Sequence, residues 1–193
     1  MKKLFVFLFI TYYAYAIVRY HIGKDLLGVK EFFFVLNKAI AWTAGTFLLL
    51  SLLPSYFLEK YTIKRRAIGT FGYTIALIHI LSSILLLDPI LYAKFYSNDV
   101  LSVNGWTFIV IGALSAFLFT LPLIASLRKL APDNVLYRFG RYGVLLNLLH
   151  VGAIGINSWM DLSKWPFYLP PITLIFVLEG IAVIVYRYWI LKK

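Results

Sequence analysis

Six long apolar stretches, a shortage of charge and a lopsided placement of lysine and arginine predict an all-α membrane protein: a six-transmembrane-helix bundle with both termini cytoplasmic. Of the 193 residues, 62% are hydrophobic and only 14% are charged, whereas soluble domains carry about a quarter charged residues. Mean hydropathy is +0.84. The length fits a single domain over residues 1–193, and no low-complexity tract or soluble appendage interrupts it. Cysteine is absent, which excludes disulfides, zinc–thiolate and iron–sulfur sites, and a cysteine nucleophile.

About 20 residues cross the hydrocarbon core as a helix. Spans are expected near 4–20, 36–57, 67–87, 104–126, 135–157 and 168–190. Helices are the natural choice, because an open sheet would leave backbone groups unpaired in lipid. The first span begins "MKKLFVFLFITYYAYA". Two lysines, an apolar run and Ala14-Tyr15-Ala16 imitate a secretory signal peptide, but an uncleaved first helix is expected. The second span holds "NKAIAWTAGTFLLLSLLPS". Asp88-Pro89 marks the turn after the third. "APDN" precedes the fifth, with Asp133 or Asn134 as N-cap. "WPFYLPP" precedes the sixth, where Trp165 and Tyr168 suit a membrane interface.

Net charge is +11. We read this as the signal that orients membrane helices, not as a nucleic-acid footprint. With the N-terminus inside, 13 of the 19 basic residues fall on the inner side and 6 on the outer, as the positive-inside rule requires.

Two of the three histidines are matched. In "RRAIGTFGYTIALIH" (65–79), Gly69 and Gly72 precede His79; in "YRFGRYGVLLNLLH" (137–150), Gly140 and Gly143 precede His150 at the same offsets. Both helices run from inside to outside. Each imidazole therefore sits roughly 20 Å into a core about 30 Å thick. A polar ionisable side chain at that depth is costly and usually functional. Two facing imidazoles can ligate one iron from opposite sides within an apolar slot. The bland alternative is a pair of buried imidazoles bonded to Ser82, Asn147 or backbone carbonyls. Gly72 and Gly143 lie on their histidine's face two turns below it, where they either admit the edge of a macrocycle or second ligand, or let helices pack closely.

"RRAIGTFGYTIALIH" resembles the arginine-pair, glycine and histidine signature of the ferric-reductase-like transmembrane domain family. "NKAIAWTAGTFLLLSLLPS" is similar to that family's second helix and "RYGVLLNLLH" to its fifth. The likeness covers most of the chain. It is nearest the branch of small haem-binding membrane subunits that serve a bacterial periplasmic methionine-sulfoxide reductase. It implies a b-type haem between the third and fifth helices, with His79 and His150 as its iron ligands. Family members with two haems carry a further histidine pair nearer the inner face. Here those positions are Arg65 or Arg66 and Leu136 or Tyr137, none of which makes a bis-histidine site. One haem per chain is expected.

The function expected is that of a membrane cytochrome b in the bacterial inner membrane. It would pass electrons from a quinol or flavoprotein donor through haem b to a periplasmic redox acceptor protein. FMN and quinone are further candidate cofactors, with a flavin held beside Gly72 and Gly143. Partners are then the lipid bilayer, the donor and the acceptor, with no nucleic acid. The rival readings are the membrane component of a ferric or other metal-ion reductase and a haem-free scaffold or transporter. Glu179, near the middle of the sixth span, either accepts protons from a quinol or bonds a neighbouring helix. His21 either approaches the haem or is a solvated loop residue. The inner cations Lys64, Arg65, Arg66, Arg138 and Arg141 either hold a flavin phosphate or a propionate, or only set topology. No phosphate-binding glycine loop, hydrolase triad or catalytic carboxylate pair is present.

Overall fold

The computed structural model describes residues 1–23, 28–53, 65–131 and 133–187. Six helical stretches within it are long and apolar enough to cross a bilayer, and the chain is a multi-pass membrane protein. In order they are α1 (Lys2–Ala16), continued by a π-helical stretch over Ile17–Ile22; α2 (Val29–Leu50); α3 (Arg65–Leu85); α4 (Val103–Leu127); α5 (Phe139–Gly155); and α6 (Ile172–Val185). Short 3-10 turns flank α5 at Val135–Arg138 and Ile156–Ser158, and another at Pro166–Tyr168 leads into α6, so that the sixth crossing stretch runs over Pro166–Val185.

Two expected boundaries are corrected. The second helix starts at Val29, not near 36: Gly28 is extended at ψ 167° and Glu31 occupies the first turn, where a carboxylate is favoured by the helix N-terminus. Lys30 and Glu31 interrupt the apolar run and so conceal a full turn and more of helix. The expected end, 54–57, lies outside the described residues. The sixth helix starts at Ile172, because Pro171 serves as its N-cap and the proline pair cannot extend a helix backwards; positions 188–190 lie outside the described residues. Of the two candidate caps before α5, Asn134 serves, its Oδ1 accepting the Leu136 N–H at 3.0 Å. Asp88 closes the turn after α3 by accepting the Ile90 N–H at 2.8 Å. A feature outside the all-helical expectation is a two-stranded ribbon, β1 (Tyr96–Ser97) with β2 (Val100–Leu101). Asn98 and Asp99 turn it at φ 51° and 60°, the left-handed pair of a type I′ hairpin.

The bundle is organised around α2, which packs against α1, α3 and α6; α4 pairs with α5 and α5 with α6, while α3 meets α4 more lightly. Val35, Ala39 and Phe47 of α2 are fully buried. Leu4 and Phe5, Leu53, Ile68 and Tyr186 join one apolar cluster. The start of α1, the end of α2, the start of α3 and the end of α6 therefore meet at one end of the bundle. Arginines sew that end together. Arg65 Nε donates to the Ser51 carbonyl at 2.5 Å, Arg66 to the Leu130 carbonyl at 2.8 Å, and Arg187 to the Leu52 carbonyl. We call it the basic end. At the far end, Arg19 is 2% exposed and donates to the carbonyls of Leu169 and Lys164. Tyr15 donates to the Pro170 carbonyl at 2.6 Å. These bonds tie the π-helical stretch to the segment that leads into α6, whose irregular backbone leaves carbonyls needing donors.

Candidate functional site

His79 lies roughly 14 residues along α3 from Arg65, or about 21 Å from the basic end of that helix. Its partner is on α2. Asn37, 2% exposed, donates from Nδ2 to Ser83 Oγ at 2.9 Å, which leaves its Oδ1 as an acceptor. His79 Nδ1 stands 2.8 Å from that oxygen and so carries the ring proton. Ser83 Oγ lies 3.4 Å from the same nitrogen.

His150 is anchored in a parallel way on α4. Its Nδ1 is 2.8 Å from the Phe108 carbonyl oxygen. A carbonyl only accepts, so this nitrogen too is the protonated one. The ring lies against Gly112, one turn beyond Phe108: a β-carbon there would come within 2.9 Å of His150 Cε1 and 3.1 Å of Nδ1. Only glycine leaves room for the imidazole at this point.

Both rings therefore hold the same tautomer, with the lone pair on Nε2. Neither Nε2 makes a hydrogen bond among the described residues. The two rings are half-buried. Counted from the far end, Asn37 is about 12 Å into α2 and Phe108 about 8 Å into α4, so both imidazoles occupy the same half of the bundle. A histidine whose Nδ1–H is fixed by a carbonyl oxygen has an oriented and more basic Nε2, the usual outer-shell support of a metal ligand. Among the described residues no three histidine, aspartate or glutamate side chains cluster to hold a metal ion. The donor set is thus two imidazoles, which suits an iron whose other ligands come from a macrocycle.

The glycines two turns below face protein. A β-carbon at Gly72 would lie 2.8 Å from Phe47 Cβ and 3.1 Å from the Leu48 nitrogen, and one at Gly143 would lie 3.1 Å from the Phe119 ring. Close packing against α2 and α4 fills the space beside them. Open space lies one turn nearer the basic end, beside Gly69 and Gly140. A cavity of about 810 Å³ opens there between α3, α4 and α5. Arg65, Arg66, Arg138 and Arg141 of the expected inner cluster line it, joined by Lys129 and Arg187; Lys64 lies outside the described residues. Tyr73 and Phe119 line its deep wall, their rings 5.8 Å apart, and Tyr73 is pinned by donation to the Ala116 carbonyl at 2.7 Å.

Glu179 of α6 bonds neighbouring helices. Its carboxyl accepts from Trp42 Nε1, 3.2 Å from each oxygen, and from Thr46 Oγ1 at 3.1 Å. Thr46 also pairs with the Tyr12 hydroxyl at 3.1 Å, and the Tyr12 and Trp42 rings stack at 3.9 Å. The network joins α1, α2 and α6. His21 sits in the π-helical stretch, its ring 6.0 Å from that of Phe32.

Asn37, Phe108 and Gly112 escape the sequence reading, as does Ser83. Asn37 offers one signal, an amide inside an apolar span. A carbonyl acceptor and a contact glycine offer none. No family model matches the chain, and no curated protein matches it significantly.

Proposed function

We propose that the chain is a membrane cytochrome b, an electron-transfer subunit that holds one haem b between His79 and His150. The observation that carries this reading is the shared tautomer: two imidazoles anchored through Nδ1, on different helices and in the same half of the bundle, with neither Nε2 hydrogen-bonded among the described residues. Haem bound there would supply one-electron exchange between a donor and an acceptor. The chain's own part is to fix both ligands, exclude water and set the potential through Asn37 and the Phe108 carbonyl. The basic end is cytoplasmic by the positive-inside rule, which puts the histidines in the outer half of a bacterial inner membrane. A periplasmic acceptor is then close, consistent with a methionine-sulfoxide reductase as the final oxidant. The donor is a quinol within the membrane or a flavin-bearing partner on the cytoplasmic side.

Reduced-minus-oxidised spectra of the purified protein test the proposal. A low-spin b-type spectrum is expected, lost in His79→Ala and in His150→Ala while both variants still insert. Full haem retention in both single variants sinks the ligand assignment. A protein purified without haem, and unable to take it up, favours the haem-free scaffold, a reading that also accommodates the interhelical bonds of the two histidines.

A further inference from the structure

Two basic residues lie where topology disfavours them. Arg19 and Lys38 belong to the far half of the bundle, the side that the positive-inside rule leaves poor in cations. Orienting the helices therefore does not explain them. Arg19 is 2% exposed. Its two terminal nitrogens donate to the carbonyls of Leu169 and Lys164, but carbonyls bring no full negative charge. Its Nε is buried with no hydrogen-bond partner among the described residues, and Arg19 joins no ion pair there. A buried cation without a counter-charge is costly.

Lys38 follows Asn37, the residue that anchors His79. It lies roughly 14 Å along α2 from Val29 and is half-buried. A lysine at that depth is costly and usually functional. Its stem runs back toward the far end. Nζ stands 4.1 Å from the centre of the Phe34 ring, one turn nearer that end, and 5.0 Å from that of Tyr20. The Arg19 guanidinium carbon lies 5.5 Å from the same Tyr20 ring. One tyrosine thus carries both cations, and the pair stands beside the support of His79.

We infer that Arg19 and Lys38 hold the two haem carboxylates on the outer side of the site, which turns the propionate edge toward the acceptor. The inference rests on haem b bound between His79 and His150. Guanidinium and ammonium groups recognise carboxylates through charge-assisted hydrogen bonds, and Arg19 Nε is a donor already in place for one. The rival cations, at the basic end, begin about 21 Å along α3 from His79. That is beyond the side arm of a macrocycle ligated at His79.

The test compares haem b with its dimethyl ester, whose carboxylates are capped and uncharged. Each is added to the full chain, purified in detergent from haem-deficient cells, and binding is followed by the low-spin spectrum. Haem b should bind about tenfold or more tightly than the ester. Arg19→Gln with Lys38→Gln should bring that ratio close to one. Because Arg19 also ties down the segment leading into α6, Lys38→Gln alone is the second variant. It should reduce the ratio by about threefold or more, with unfolding near the original temperature. In the haem-loaded protein it should also lower the midpoint potential, since reduced haem is the more negative form. Arg138→Gln with Arg141→Gln, at the basic end, should leave the ratio as it is. Equal binding of haem b and ester to the unaltered chain overturns the inference and leaves the haem reading standing. So does a ratio that survives Lys38→Gln, or one that collapses in the basic-end pair instead. A chain that binds neither porphyrin overturns the haem reading, and this inference with it.

Discussion

Replacing Gly112 by alanine should loosen the proposed haem without unfolding the protein. The added methyl would stand 2.9 Å from His150 Cε1, 3.1 Å from Nδ1 and 3.4 Å from Nε2. To reach ordinary contact the ring must retreat by about 0.5–1 Å, since overpacked sites relax by shifting side chains. That retreat stretches the 2.8 Å bond from Nδ1 to the Phe108 carbonyl beyond useful length. The bond itself is worth about 0.5–1.5 kcal/mol. Loss of such support typically costs 10–100-fold in metal affinity. Meanwhile α4 gains about 1 kcal/mol of helix propensity from the exchange, so the bundle should hold. Haem content per protein, a redox titration and thermal unfolding separate these effects. The expected result is lower haem occupancy and an altered midpoint potential, with unfolding near the original temperature. Gly152→Ala, two residues beyond His150 on α5, is the control: its methyl meets Trp159 at an ordinary 3.7 Å. Unchanged occupancy and potential in Gly112→Ala would falsify the claim that this glycine seats the ligand.

Asn37→Leu removes the acceptor for His79 Nδ1–H, which makes Nε2 a weaker donor. A redox titration should show the haem potential rising, with about 1–3 kcal/mol of stability lost through the bonding partners left behind. Haem quantitation should give one per chain, because Arg65, Arg66 and Leu136 offer iron no ligand and Tyr137 alone cannot make a bis-histidine site; two per chain would refute this. Gly72→Ala should destabilise more than Gly143→Ala in thermal unfolding. The first places a methyl 3.1 Å from backbone at Leu48, the second against the Phe119 ring, which can rotate. A reporter fused after Lys193 should score cytoplasmic, and a periplasmic signal there would reverse the orientation.

The number of spans, and the placing of His79 and His150 in one half of the bundle, are legible in the sequence, because length and apolarity are what a bilayer selects. Which helix sits in the middle is not. Lipid tails are as apolar as leucine, so a buried span and a lipid-facing one carry similar residues. The central place of α2 leaves little trace beyond small residues such as Ala39 and Gly45. Misplacing its start near 36 also hides Asn37. Read from there, the amide sits at the very edge of a helix; from Val29 it lies more than two turns inside. The Phe108 carbonyl is invisible for a different reason: every residue has one, and only the docking of α5 on α4 selects it. The inner cations are legible as charge, but their convergence on one hollow depends on where α3, α4 and α5 come together.

The Trp42–Glu179 hydrogen bond spans 137 residues. That separation sets a schedule for biogenesis. At about 5–20 residues per second, roughly 7–27 s pass between synthesis of the two partners. Throughout that interval α2 is in the membrane with its indole N–H unanswered, beside a threonine whose cross-helix partner is the Tyr12 hydroxyl of α1 alone. The innermost helix is thus among the first made and the last to be satisfied. Ribosome-bound chains that end before α6 should remain open to crosslinking at Trp42, and release of the sixth helix should close that access in a single late step.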